Sequence, residues 1–345
     1  MIQLEESEKL SRIVIDECHV ALIHRKFRPV MRRLGSLVRC VSVPLVLLTA
    51  TLPVIMEEEL RIFLGCIEWE VIRKNSERSE LQYQILNLGD KVDSKAEMAS
   101  YLGQNILTKE LRGFEKQDRA IIYCLETKWA TELAEYINKK TNRTVCGVYH
   151  SEMEKDARKS SLKSWKEGKL KILTATSALG AGLDYSSVRL IVHFGFSRSL
   201  MDFCQETGRA GRDGKMAKVI TLFWKGIVSE TQWISMEEKK EMLKIIQSKE
   251  CIRWQVGRYL NGVGVNCLSD EKDEICGNCL EALEGKLEVK KTVYQGQKRG
   301  RDQERMEAKE GSDLKEMLKE LRGCCSICWI KGDGEKKNHE FMRCR

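Results

Sequence analysis

Gln205-Glu206-Thr207-Gly208-Arg209-Ala210-Gly211-Arg212-Asp213-Gly214 sets two arginines three residues apart among three glycines. Glycine lets the main chain approach a ligand closely and take up turns closed to other residues. Arginine carries a planar, permanently charged fork that matches phosphate oxygens. Together they make a loop suited to neutralising charge during phosphoryl transfer. On either side of this loop, short apolar runs alternate with polar, helix-like stretches. The runs Arg12–Asp16, Leu45–Ala50, Trp69–Arg73, Ala120–Cys124, Val145–Tyr149, Leu170–Ala175, Val188–Phe194 and Val219–Trp224 read as strands. Most are nearly continuous in Ile, Val and Leu, as strands buried on both faces are. Ser151 followed by Glu154 forms a capping-box pattern that predicts a helix toward Trp165, stopping before Gly168. Strand–helix alternation of this kind predicts an α/β fold with a parallel sheet covered by helices.

The 345 residues suffice for two domains and a smaller module. Lys+Arg 59 against Asp+Glu 51 gives a net charge of +8, an excess that fits a polyanionic partner and equally a basic soluble surface. The first dozen residues are charged and lack the apolar centre of a secretory signal. The uncharged run Val41–Met56 contains Pro44 and Pro53 and is shorter than the roughly 18 residues of a membrane helix, so no membrane partner is expected. Fourteen cysteines in a long chain without an export signal read as reduced thiols or metal ligands.

Several short motifs carry chemistry. Asp16-Glu17-Cys18-His19 ends an apolar run, and adjacent carboxylates there can hold Mg²⁺ and orient a water. Thr49-Ala50-Thr51 and Thr174-Ala175-Thr176 each follow a strand, and the second continues through Ser177 to Gly180, Ala181, Gly182, Leu183 and Asp184. Read singly, these are strand-to-helix turns with threonine caps. Their order, with Tyr149-His150-Ser151 between them and the arginine loop after them, resembles motifs II to VI of superfamily 2 helicases. The last two, with Val188–His193 between them, resemble the RecQ family in particular. Cys18 within the carboxylate motif and Phe27-Arg28-Pro29 behind it are similar to fungal telomere-linked RecQ-like proteins.

That resemblance covers about residues 10 to 282 and implies RecA-like lobes, the first partial and the second complete, plus a small zinc-binding subdomain. It implies an ATP-dependent 3′–5′ DNA helicase of the nucleus, with ATP, Mg²⁺ and Zn²⁺ as cofactors and single-stranded DNA, junctions or duplex ends as partners. By position, Asp16 holds Mg²⁺ and Glu17 activates water. Gln205 and Arg209 line the cleft, and Arg212 is the arginine finger. His19, Gly182 and Asp184 fall on the nucleotide side. Thr49, Thr51, His150, Ser151 and Thr176 fall where nucleotide state couples to the strand. The implied divisions are 1–76 for the end of the first lobe, 77–225 for the second, 226–282 for the zinc subdomain, 283–323 for a charged linker with a short amphipathic helix, and 324–345 for a Cys/His knuckle.

The sequence departs from the family pattern in three places. No Gly-x-x-x-x-Gly-Lys-Ser/Thr occurs in the 345 residues, so nothing in them cradles the terminal phosphates. This carries the expectation of an N-terminally shortened chain that is inactive alone. The stretch Val20–Lys26 lacks the aromatic residues of the family's coupling loop. No winged-helix segment follows the cysteines. Cys251, Cys267, Cys276 and Cys279 offer four thiolates, with Cys276-Gly277-Asn278-Cys279 as a knuckle suited to tetrahedral zinc. Cys325, Cys328, His339 and Cys344 make a second set, whose alternative is a basic tail with oxidisable thiols. Two functional alternatives stand beside the helicase: a catalytically inactive nucleic-acid-binding remnant, and a zinc-stabilised interaction module.

Overall fold

The computed structural model describes residues 10–23, 29–40, 42–66, 69–180, 183–270 and 272–284. The stretch past Glu284, most of the 283–323 linker, lies outside the described residues, as do Gly182, Cys325, Cys328, His339 and Cys344. Among the described residues no helix is long and apolar enough to cross a membrane.

Two short strands open the fold. β1 (Ile13–Ile15) and β2 (Leu45–Leu47) pair in parallel, with Ile13 opposite Leu45. Helix α1 (Glu57–Leu64) packs with them. Its first turn carries Glu57, Glu58 and Glu59, which favour the positive end of the helix dipole, and Gly65 closes it in the left-handed conformation. Leu60 and Leu64 bury with Cys18, Ala21, Leu22 and Leu52 as a small core of their own. Val14, Val46 and Leu48 remain exposed.

The main sheet contains β3 (Leu81–Asn87), β4 (Arg119–Cys124), β5 (Cys146–Tyr149), β6 (Ile172–Ala175), β7 (Val188–Phe194) and β8 (Ala217–Phe223), in the order β3-β8-β7-β4-β6-β5 and parallel throughout. β4 and β6 are buried at every position, which accounts for a sequence that is apolar except at Arg119 and Thr174. Helices α2 (Lys95–Tyr101), α3 (Thr127–Thr141), α4 (Lys155–Lys166) and α5 (Leu200–Thr207) connect the strands. Trp165 of α4 is fully buried, and its indole donates to the Ala120 carbonyl at 3.1 Å.

Three local expectations change. The stretch Trp69–Arg73 is not a strand; Arg73 reaches back to the Leu52 carbonyl and forward to that of Leu260, each at 3.1 Å, and so pins an extended connection. A strand instead forms at β3, where Gln82, Gln84 and Asn87 interrupt the apolar pattern because the strand lies at the sheet's edge. Helix α4 starts at Lys155 with Glu154 at its cap, so Ser151 sits in the preceding turn and not at the helix terminus.

Beyond the sheet come α6 (Met236–Gln247), α7 (Ile252–Asn261) and α8 (Gly277–Leu283). Ile245, Ile246, Ile252, Val256 and the four cysteines share one buried cluster with Leu81 and Tyr83 of β3. A side chain on Gly277 would meet Gln84 Cγ at 3.3 Å, so glycine sets how closely α8 approaches the strand. The exposed edge of β3 is thereby covered by the cysteine region.

The two-stranded sheet has a small core and an uncovered apolar face, whereas β6 is fully buried. Backbone amides of Ile13–Ile15 should exchange about tenfold or more faster than those of Ile172–Ala175. Hydrogen exchange read by NMR or mass spectrometry checks this, and equal protection would refute it.

Candidate active site and metal centre

Asp16 and Glu17 stand just past the end of β1, both exposed. Asp16 Oδ1 accepts the Glu17 N–H at 2.9 Å, and Glu17 takes a left-handed backbone conformation (φ 49°) that is uncommon for a side-chain-bearing residue. Burial, and then the Asp16 charge, raise the Glu17 carboxyl above its ordinary value, while Arg209 pulls it down. Cys18 between these carboxylates and His19 is buried; burial pushes its thiol up to about 11, so it is held as an unreactive apolar group.

His19 is 1% exposed and connects two distant parts of the chain. Its Nδ1 lies 2.8 Å from Thr49 Oγ1 and its Nε2 lies 2.6 Å from Gln205 Nε2. The Gln205 carboxamide also donates to Thr51 Oγ1 at 3.1 Å. With Gln205 as the donor, His19 accepts at Nε2 and carries its proton on Nδ1, which it gives to Thr49. Gln205 thus joins the carboxylate motif and the threonine turn of the small sheet to helix α5 of the large one.

Helix α5 owes its placement to a buried polar group that the sequence reading passed over. Glu206, 7% exposed, accepts the Ser197 hydroxyl at 2.7 Å, and His193 Nε2 of β7 lies 3.1 Å from the same oxygen. Such a carboxylate needs a partner when desolvated, and the Ser197 hydroxyl supplies it at the last turn of α5, with the His193 ring packed beside them. Arg78 adds a second hold by donating to the Gly208 carbonyl at 3.1 Å and the Ala210 carbonyl at 2.5 Å. Gly211 then turns at φ 58°, where a side chain would strike the Lys215 carbonyl. His193 could have been found in the sequence as a polar residue inside an apolar strand; Glu206, between Gln205 and Thr207, and Arg78 carried no such pattern.

The loop brings both arginines to one side. Arg209 donates to the Gly180 carbonyl, and Arg212 to the Leu183 carbonyl at 3.2 Å. Arg212 also stands 3.6 Å from the exposed Asp184 carboxylate. Burial and then the neighbouring Arg209 charge lower the Arg212 guanidinium from its ordinary value. Two cations bound mainly to carbonyls leave net positive charge, and Arg209 is near enough to act on Glu17. The arrangement can hold an anion between a carboxylate pair and an arginine pair.

His150, Ser151 and Thr176 lie at the C-terminal ends of β5 and β6. Ser151 is exposed; His150 and Thr176 are buried, with His150 Nε2 3.2 Å from Thr131 Oγ1. The hydroxyls of Thr49 and Thr51 belong to the Gln205 junction.

The four cysteine sulfurs are buried and lie within 4.8 Å of one another. Cys251 Sγ is 3.6 Å from Cys267 Sγ and 3.9 Å from Cys276 Sγ. A tetrahedral ion with metal–sulfur bonds of about 2.3 Å sets its ligands about 3.8 Å apart. Backbone N–H groups of Ile252, Cys267 and Cys276 point at these sulfurs at 3.4–3.5 Å, as they do around thiolates. The donor set therefore fits a tetrahedral metal.

A family model, the helicase conserved C-terminal domain, matches residues 103–214. The chain is 32% identical over 275 residues to "ATP-dependent DNA helicase hus2/rqh1" of Schizosaccharomyces pombe, covering 74% of this chain and 20% of that one. It is 27% identical to "ATP-dependent DNA helicase RecQ" of Pasteurella multocida, covering 79% and 42%. Over most of its length the chain is similar to DNA helicases of the RecQ family. It spans well under half the length of either of these relatives. A solved structure of the DEAD-box helicase Mss116 bound to single-stranded RNA shares the fold, with TM-score 0.51, 17% identity, and coverage of 69% of this chain and 49% of that one.

Arg253 stands between the first and second cysteines of the cluster, where a surface cation could serve a nucleic acid. It is instead 4% exposed and donates to the carbonyls of Arg78, Ser79, Leu81 and Glu274. It fastens the cysteine region to β3 and has no surface to offer a nucleic acid. Arg253→Ala should leave those carbonyls unpaired and lower stability by on the order of 3 kcal/mol. Urea unfolding checks this; a loss under about 1 kcal/mol would contradict the role.

Proposed function

We propose that this chain is the second-lobe and zinc portion of an ATP-dependent 3′–5′ DNA helicase, with the division at 1–76, 77–225 and 226–282. The observation that carries the reading is the Gln205 junction. One carboxamide touches both His19 and Thr51, so a change in the cleft between Glu17 and Arg209 is felt at the turn that carries Thr49 and Thr51. In this reading Asp16 holds Mg²⁺ and Glu17, with its raised carboxyl, takes the proton of the attacking water. Arg209 and Arg212 neutralise the developing phosphate charge, and Asp184 keeps Arg212 turned toward the cleft. ATP, when bound with Mg²⁺, supplies the transferable phosphoryl group. His150, Ser151 and Thr176, with Thr49 and Thr51, face the DNA strand, single-stranded or at a duplex end. Zn²⁺ is the metal that four cysteine thiolates at this spacing suit best. A nuclear location goes with the proposal.

A second reading has its own observation: the 345 residues contain no Gly-x-x-x-x-Gly-Lys-Ser/Thr. These residues by themselves then bind nucleic acid without turning over ATP. The purified 345-residue polypeptide should bind single-stranded DNA but release no phosphate at a DNA-stimulated rate. DNA-stimulated turnover that disappears in Arg212→Ala would reject this second reading in favour of self-sufficient catalysis. No salt-sensitive DNA binding at all would reject both.

The metal assignment has a separate check. One equivalent of zinc per chain should survive gel filtration under reducing conditions, and Cys279→Ser should lose it together with the fold around α7 and α8. Less than half an equivalent in the wild-type chain would overturn the assignment.

A further inference from the structure

Trp233 is a large ring held out in solvent by a rigid mount. Its neighbours Thr231 and Ile234 are 0% and 1% exposed, yet Trp233 is 52% exposed. The turn beneath it is fastened. The Thr231 hydroxyl donates to the Ile227 carbonyl at 2.7 Å, and the buried Lys239 ammonium donates to the Thr231 carbonyl at 3.1 Å. The ring is fixed as well. Its indole N–H donates to Glu126 Oε1 at 3.2 Å, and the Arg198 guanidinium lies over it, 5.9 Å from the centroid. An exposed aromatic held this firmly loses little entropy when a partner covers it.

Its location says what kind of partner. Glu126 follows β4, Arg198 follows β7, and Trp233 lies beyond β8, so all three stand past the C-terminal edge of the parallel sheet. The same edge carries His150 and Ser151 after β5 and Thr176 after β6. Contacts run from one group to the other without a break. Ser151 adjoins Glu152, Glu152 accepts the Thr127 hydroxyl at 2.9 Å, Thr127 adjoins Glu126, and Glu126 accepts the Trp233 indole. Glu126 and Glu152 offer no cation to a phosphate here, so what this ridge presents to a nucleic acid is the ring face of Trp233. An aromatic face backed by a guanidinium suits a flat, electron-rich ring, and a nucleobase supplies one whatever its sequence.

We propose that Trp233, backed by Arg198, is a stacking platform for an unpaired nucleobase at the end of the strand path through His150, Ser151 and Thr176. It rests on the nucleic-acid reading given above. Because the contact is stacking and not charge, its contribution is independent of salt, unlike that of phosphate-binding side chains.

The test is single-stranded oligothymidine binding by the 345-residue polypeptide at several salt concentrations. Trp233→Ala should weaken binding about tenfold while leaving the salt slope unchanged, and Trp233→Phe should restore most of the loss. Melting curves identical to wild type show that the variants fold. In a second arm, an oligonucleotide carrying 5-iodouracil should cross-link under ultraviolet light to Trp233. Wild-type affinity in Trp233→Ala, or a cross-link elsewhere, overturns the platform alone, provided that Ser151→Asp still weakens binding. A wild-type chain that binds no DNA overturns the platform and the underlying reading together.

Discussion

The Gln205 carboxamide is the interaction on which the geometry of the site depends. It is the described junction where the small sheet's carboxylate motif and threonine turn meet helix α5, through His19 and Thr51. A neutral amide suits this place, because it gives direction without adding charge to a cleft that already holds two carboxylates and two guanidinium groups. It also imposes a tautomer on His19, which then orders Thr49. Each partner is buried or half-buried, so the bonds form where water competes weakly.

That junction works because α5 is held from behind. Glu206 follows Gln205 and points the other way, into Ser197 and His193. The two residues thus divide the labour of one helical turn: one anchors, one reaches across. Arg78 grips the turn that follows, and Arg253 grips the backbone of Arg78 itself. A line of hydrogen bonds therefore runs from the cysteine region, through Arg78 just ahead of β3, to the arginine loop. The cysteine cluster is mechanically part of the support of the arginine loop and not an appendage on a tether.

Much of this was legible in the chain. The interior strands β4, β6 and β7 announce themselves as nearly continuous apolar runs because both their faces are buried. The arginine loop, the carboxylate pair and the four cysteines are short patterns whose residue types are chemically demanding, and the four thiols do lie together. The sequence could not reveal β3, since an edge strand half covered by another region mixes glutamine with leucine. Nor could it exclude Trp69–Arg73 as a strand, since that stretch has β-forming residues but no strand beside it to pair with.

What the sequence alone determined is the set of local chemistries: which segments bury, which loop carries arginine, which thiols can share an ion. Tertiary structure decided the partners. Arg253 reads as a surface cation between metal ligands, and only the fold shows its donors spent on four carbonyls. Nothing in the pattern around Trp233 marks it as exposed, and only the fold leaves it outside. His19 and Gln205 stand 186 positions apart, and no local pattern links them. The physical reason is that burial periodicity is set by neighbours along the chain, whereas a hydrogen bond between distant residues is set by how whole elements pack.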